Sequence, residues 1–243
     1  MPRWLVLLVY NLVIPCFFLL SLPAWLVKMG RRGGFGSGLS ERFGFHRRPL
    51  VKETPGATAL HAVSVGEVGL AMKLIRAWRA REPERRFLLA VGTATGRQMA
   101  AGLEGDGVRV VYAPFDLPGL VGGFLRRFRP RQLVLIESEL WPNLMNSARR
   151  HGIPVRLANA RLSPRSERRY RRAGALARPL LAMNDRLGAQ ESVDVGRWVG
   201  EGVPLEGIEL KGREEFGPGE ARRSEEQTSE LQSRIHSLYE GVW

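Results

Sequence analysis

Three stretches of this sequence place polar side chains where chemistry could be done. The sharpest is HAVSVGEVGLA, His61 to Ala71, where an apolar run gives way to Ser64, Gly66 and Glu67 at what reads as the exit of a strand and the start of a helix. Glycine at such a junction permits a tight turn and the close approach of a ligand. Backbone N–H groups at a helix start favour an anionic or polar group nearby, and a carboxylate placed there can accept a proton from an attacking hydroxyl. The plainer role for Glu67 is to complement the helix dipole from the first turn. The second stretch is IESELWPNL, Ile136 to Leu144, which puts Glu137 and Glu139 just after the run QLVLI. Two acids this close could hold the geometry of a base, position sugar hydroxyls or bind a cation. Alternatively one of them caps the following helix while Trp141 packs inward. The third stretch, GTATGRQMA, offers Thr93, Thr95 and Gly96 with Arg97 beside them. That set could cradle a phosphate, but it lacks the lysine of a P-loop, and no G-x-G-x-x-G fingerprint occurs.

These junctions need elements to hold them. Apolar runs at 58–65, 86–93, 108–113, 132–137, 154–160 and 185–190 read as strands, and stretches at 69–81, from about 96, at 118–128 and at 141–151 read as helices. Short buried strands alternating with helices imply a parallel sheet covered on both faces, a Rossmann-like α/β domain. Ligands of such sheets lie beyond the carboxyl ends of the strands, where all three stretches fall.

Before this domain, Trp4 to Val27 carries no charged residue, and about 20 apolar residues suffice to cross a bilayer as a helix. Asn11, Pro15 and Pro23 interrupt the run, and its length argues for a retained membrane anchor over a cleaved signal. Lys28, Arg31 and Arg32 follow at once and favour the cytoplasmic side for what comes next. The chain carries 37 Lys and Arg against 24 acidic residues, a net charge of +13, which points to anionic partners. The arginines cluster at Arg42, Arg47 and Arg48, from Arg126 to Arg131, and from Arg161 to Arg172. Aromatic residues are sparse among them and no nucleic-acid-binding motif is present, so anionic lipid beside the anchor is the simpler partner and nucleic acid is not expected. Cys16 stands alone, which excludes a disulfide framework, and His46, His61, His151 and His236 lack metal-ligand spacing, so no metal site is expected. The polar tail from Arg222 does not continue the strand–helix rhythm. Its stretch RSEEQTSELQSR resembles an in-frame translation of a sequencing adapter, so the natural sequence is expected to stop near Ala221.

Taken together, GLSERFGF (38–45), HAVSVGEV (61–68), TATGR (93–97), ESELWPNL (137–144), LANARLSPRS (157–166) and LGAQESVDVGRWVGEGVP (187–204) resemble the Kdo transferases of lipopolysaccharide assembly, and they occur in the family's order. The resemblance implies a GT-B architecture, in which a membrane-anchored N-terminal Rossmann-like domain receives the acceptor and a C-terminal domain binds the donor CMP-Kdo. It implies inverting transfer of Kdo to a lipid A precursor (lipid IVA) on the cytoplasmic face of the inner membrane, with no cofactor. The family's catalytic base falls on Glu67, and a second acidic position falls on the Glu137–Glu139 motif, with Glu137 preferred as catalytic and Glu139 assigned to the acceptor. Ser64 and Gly66 would shape the turn, and Arg42 and Arg161 would contact acceptor phosphate or membrane lipid.

The expected division is an anchor at 1–29, a basic connector at 30–57, the acceptor-side domain at 58–212 and a non-native or disordered tail at 213–243. The family's next residues are GNIKFD-like, whereas here the region reads GIELKGREEF, so the donor domain is expected to be missing and this chain inactive alone. The competing expectation is a non-catalytic, membrane-tethered module that binds anionic lipid or saccharide.

Overall fold

The computed structural model describes residues 1–31, 38–46, 55–105, 107–137, 140–189 and 192–210. Seven parallel strands form one sheet: β1 (Thr58–Ala62), β2 (Phe87–Val91), β3 (Val108–Tyr112), β4 (Gln132–Ile136), β5 (Val155–Ala158), β6 (Arg186–Ala189) and β7 (Ile208–Leu210). Their spatial order is β3-β2-β1-β4-β5-β6-β7. The chain first builds outward from β1 to β3, then returns to the other side of β1 and builds outward again. The order therefore reverses between β1 and β4, the place where a doubly wound sheet opens a crevice for ligands.

The near-continuous apolar composition of the strands follows from burial on both faces. Residues of β1, β2 and β4 are buried throughout, and alternate side chains enter opposite layers. Leu60, Ala62, Leu89, Val91, Val134 and Ile136 pack with Val68, Leu74, Ile75 and Trp78 of helix α3 (Val65–Arg81). Ala59, Leu88, Leu133 and Leu135 enter the other layer. There they meet Phe124 and Phe128 of α5 (Pro118–Phe128) and Met145 of α6 (Pro142–Arg150). Tyr170 and Leu181 of α7 (Pro164–Leu181) and Trp198 of α8 (Ser192–Gly200) complete that layer.

The elements differ from expectation in three places. Helix α3 begins four residues before Gly69, because Ser64 caps it, so β1 ends at Ala62. Helix α7 lies in an arginine-rich stretch read from the sequence as a cationic cluster suited to anionic lipid, with no helix expected there. Ser163 caps it and Pro164 starts it, while Ala177, Leu180 and Leu181 form its buried side. Ile208–Leu210, within the segment that departs from the family pattern, pairs with β6 as the seventh strand.

Part of the stretch read as a connector is built into the domain edge. Helix α2 (Gly38–Arg42) is held to β3 by Glu41, whose Oε2 accepts from the Tyr112 N–H at 2.9 Å. Arg97 in α4 (Ala94–Ala100) adds an ion pair to the same Glu41 at 3.5 Å.

Helix α1 runs unbroken from Arg3 to Arg31 through Pro15 and Pro23, and its segment Arg3–Ala24 is long and apolar enough to cross a membrane. One side of it meets the domain, with Val6 buried and Phe18 edge-on to Phe115 at 5.4 Å. The other side exposes Trp4, Leu8, Leu12, Phe17 and Leu20. The tail from residue 211 lies outside the described residues.

The close approach of strand ends beside the switch point rests on Gly92. A Cβ there would fall 2.5 Å from Val63 Cγ1 and 2.7 Å from Val63 Cα. Gly92→Ala is therefore expected to destabilise the fold by about 1–3 kcal/mol, read as a lower urea midpoint. An unchanged midpoint would show that these two strand ends part freely.

Candidate active site

At the carboxyl ends of β1 and β4 the chain turns twice into polar chemistry. After β1, Ser64 Oγ accepts from the Glu67 N–H at 3.2 Å, and Glu67 answers with both of its oxygens. Its Oε2 accepts from the Val63 N–H at 2.8 Å and its Oε1 from the Ser64 N–H at 3.2 Å. This reciprocal capping box satisfies N–H groups that a helix start leaves without partners. Glu67 is buried and fixed in orientation by it. Each oxygen retains one lone-pair direction, since an ionised carboxylate has about four acceptor sites.

Glu137 follows β4. Its N–H donates to Ala158 O at 2.8 Å, and its backbone is left-handed, with φ of 62°. The adjacent strand repeats the pattern, because Asn159 directly after β5 has φ of 59°. Left-handed backbone in non-glycine residues costs on the order of 1–3 kcal/mol and clusters at functional sites. Asn159 is also buried, and its Oδ1 has no hydrogen bond among the described residues. Burial, and then the charge of Glu67, push the Glu137 carboxyl up, while Arg161 pulls it back down. The structure thus brings Glu67, Glu137 and Arg161 into one electrostatic neighbourhood.

The loop that carries Arg161 is clamped from α8. Trp198 Nε1–H donates to Ala160 O at 2.8 Å. Asp194 Oδ1 accepts from the Leu162 N–H at 3.1 Å, and Arg197 Nη1 donates to Leu162 O at 2.9 Å. These three residues lie in a quoted motif, but the sequence gives them no role because the loop they hold is more than 30 residues away.

The remaining expected positions divide. Ser64 caps α3, as its place at the junction suggested. Gly66 lies inside the first turn of α3 and has no positive φ, so the backbone does not demand glycine there. A Cβ at Gly66 would meet only Ser64 Oγ, at 3.9 Å, which leaves the space above the helix start open. Arg42 donates from Nη2 to Gly92 O at 2.6 Å, and its guanidinium lies over the rings of Tyr112 at 4.8 Å and Phe115 at 5.9 Å. It fastens α2 to the carboxyl edge of the sheet, a duty beyond the phosphate contact expected of it.

Arg97, read as part of a possible phosphate cradle, instead pairs with Glu41 and with Glu104 at 3.7 Å. Thr93 caps its own helix, accepting from the Gly96 N–H at 3.1 Å. Glu139, Arg47 and Arg48 lie outside the described residues. Among the described residues no group of three or more His, Cys, Asp or Glu side chains could hold a metal ion.

Beneath the site, His61 of β1 meets Trp141 edge-on, with ring centroids 4.8 Å apart. Among the described residues, the side chain that caps the helix after Trp141 is not Glu137. It is Asp116, which accepts from the Asn143 N–H at 3.1 Å and the Leu144 N–H at 2.8 Å.

Fold and site together define a doubly wound α/β enzyme domain with an acidic pair and an arginine at its switch point. Residues 37–214 match the family model described as 3-deoxy-D-manno-octulosonic-acid transferase (kdotransferase), and the chain belongs to that family of glycosyltransferases. Curated relatives of the same name include that of Bordetella pertussis, 36% identical over 180 residues, covering 71% of this chain and 42% of the relative. The Haemophilus influenzae protein is 33% identical over 174 residues, covering 72% of this chain and 40% of its own length. That of Chlamydia trachomatis serovar D is 29% identical over 211 residues, covering 86% and 49%. The chain thus spans less than half the length of the curated relatives it matches. Among solved structures, the S. aureus MnaA–UDP co-structure aligns with 65% of this chain and 45% of that chain, at a TM-score of 0.48 and 10% identity. That likeness is too distant to carry a site or a ligand across.

Burial pushes the His61 imidazole down to about 4. His46 is also pushed down to about 4, by burial first and then by the charges of Arg127 and Arg97. Between pH 6.5, the ordinary imidazole value, and pH 4 the unfolded chain therefore binds more protons than the folded one. Stability is fully present above that window and is lost as pH falls through it. The melting temperature should drop from pH 6.5 to 4, and His61→Phe should flatten the drop. An equally steep profile in the variant would show that His61 is not buried in its neutral form.

Proposed function

We propose that this domain is the acceptor-side half of an enzyme that transfers Kdo from CMP-Kdo to a lipid A precursor of the lipid IVA class. The observation that supports it best is the grouping of Glu67, Glu137 and Arg161 at the β1–β4 switch point, in a chain of the Kdo transferase family. Glu67 acts as general base. It takes the proton of an acceptor sugar hydroxyl while that oxygen bonds to the anomeric carbon of Kdo. The bond from that carbon to CMP breaks on the opposite face, and the centre inverts. The capping box serves this role by holding both carboxylate oxygens still, so orientation is set before the substrate arrives.

Glu137 is the second acid, its carboxyl raised by the charge of Glu67 and lowered by that of Arg161. It takes part in the proton transfer or fixes an acceptor hydroxyl. The open space over Gly66 admits the sugar, with Ser64 at its edge and Glu139 following on from Glu137. Arg161 and Arg42 bring positive charge to the acceptor phosphates. In this reading the donor site belongs to a second Rossmann-like half of the enzyme.

The apolar face of α1 anchors the domain to the cytoplasmic side of the inner membrane. The exposed arginines of α7, a helix that packs against α1, add attraction to anionic lipid, each worth about 1 kcal/mol near such a surface.

One observation favours a second, non-catalytic reading: Glu67 is already engaged as a helix cap by both oxygens. In that reading the domain is a tethered module for anionic lipid or saccharide. Glu67→Gln separates the two in an assembly that also carries a donor-binding half. As a base, Glu67 contributes about 10²–10⁴-fold to the rate, so kcat per folded molecule should fall by that much. As a cap alone it contributes about 0.5–2 kcal/mol of stability. The variant would then melt earlier while each folded molecule turned over at the parent rate.

A further inference from the structure

The one amide in the apolar N-terminal helix has a partner in the domain. Asn11 faces inward, and its side chain and that of Asn143 form a reciprocal pair. Asn11 Nδ2 donates to Asn143 Oδ1 at 3.1 Å, and Asn143 Nδ2 donates to Asn11 Oδ1 at 2.7 Å. Asn143 Nδ2 also donates to Asp116 O at 2.6 Å. The Asp116 carboxylate accepts from the N–H groups of Asn143 and Leu144 and from the hydroxyl of Tyr10.

Asp116 and Asn143 are both buried. Burial pushes the Asp116 carboxyl up, and its three hydrogen bonds pull it back down. Two residues of α1 and two of the domain thus form a closed polar cluster on an otherwise apolar seam. Val6 on one side and the Phe18–Phe115 contact on the other extend that seam.

The position of this cluster connects it to the site. Asn143 and Leu144 form the first turn of α6, where Pro142 has no N–H to give. Asp116 is therefore what satisfies the free donors of that turn. The residue before Pro142 is Trp141, whose ring meets His61 on β1. Glu137 lies four residues further back, and Glu67 follows His61 by six along the chain. An anchor needs only apolar area to hold a membrane, and an amide adds nothing to that. An amide that pairs with a helix start beside the acidic pair does something else.

We propose that α1 is part of the site scaffold as well as an anchor: Asn11, through Asn143 and Asp116, sets the start of α6 and with it the placement of Trp141 against His61 beneath Glu67 and Glu137. Asn143 and Asp116 are positioning residues, and seating of α1 on the domain governs the geometry of the acidic pair. The inference builds on those acids being the site, but its test uses neither donor nor acceptor nor turnover. It can therefore fail independently of the transferase reading.

The test is Asn11→Leu in the full chain, held in detergent micelles. The substitution makes α1 more apolar, so flotation with vesicles of phosphatidylethanolamine and phosphatidylglycerol should match the parent. Amide hydrogen exchange over residues 141–146 should become about tenfold faster, the factor expected when about 1.4 kcal/mol of local protection is lost. The NMR titration of the His61 imidazole, near pH 4 in the parent, should move toward 6.5 as the ring loses its cover. A merely structural contribution would lower the melting temperature without moving that titration. Asn11→Ser removes the amide pair more gently and is read by the same two measurements, should the leucine variant fold poorly. Leu12→Ala, on the exposed side of α1, should leave both unchanged. Unchanged exchange and titration in both Asn11 variants would overturn the proposal, as would equal changes in Leu12→Ala.

Discussion

A parallel sheet buried on both faces has nowhere to keep polar groups except the ends of its strands. That constraint organises this molecule. Within β1, β2 and β4 every position is buried. A charged side chain in such a place would need a partner or would lose its charge. The polar residues accordingly collect where the strands stop: Ser64 and Glu67 after β1, Thr93 after β2, Asp116 beyond β3, Glu137 after β4, and Asn159 and Arg161 after β5. Parallel connections return every helix start to that same edge, so N–H groups without intrahelical partners collect there too. The edge that can do chemistry is also the edge that most needs hydrogen-bond acceptors.

Competition for acceptors explains the double character of the candidate residues. Glu67 caps a helix and stands beside a second acid, and these roles are compatible because capping uses only part of a carboxylate's acceptor capacity. Asp116 shows the other solution. It lies far from its helix in sequence, is buried, and leaves Glu137 out of the capping of α6. Glu137 instead occupies a left-handed backbone position where it feels the charges of both Glu67 and Arg161. The basic residues divide likewise. Arg42, Arg97 and Arg197 hold loops and helix ends through carbonyls and carboxylates, whereas the arginines along α7 remain largely exposed. A net charge of +13 therefore includes structural fasteners as well as a cationic surface.

The N-terminal helix presents two chemistries on two sides. Its outward residues are the ones a bilayer would solvate. Its inward residues include Tyr10 and Asn11, which would be costly in hydrocarbon without partners and have them in Asp116 and Asn143. The helix therefore reads as apolar by composition while being fastened to the domain by polar contacts.

How much of this was legible beforehand follows from the range of the interactions. Strand positions were visible because double-sided burial writes itself as short apolar runs, and the starts of α5 and α6 were marked by Pro118 and Pro142. Ser64 and Glu67 were recognisable because they lie only three positions apart at one junction, and the family showed itself in motifs kept in order. Helix α7 was not visible: eight of its eighteen residues are arginine, serine or glutamate, and its periodicity depends on a few apolar contacts with the layer beneath. What the sequence alone determined was local: runs, caps, junctions and the chemical types gathered at them. The tertiary structure decided which junctions meet. Glu67 and Glu137 lie 70 residues apart and become neighbours only because β4 pairs with β1. Asn11 and Asn143 are separated by 132 residues. Pairings at such distances are set by the order of strands and the packing of layers, which no short stretch of residues encodes.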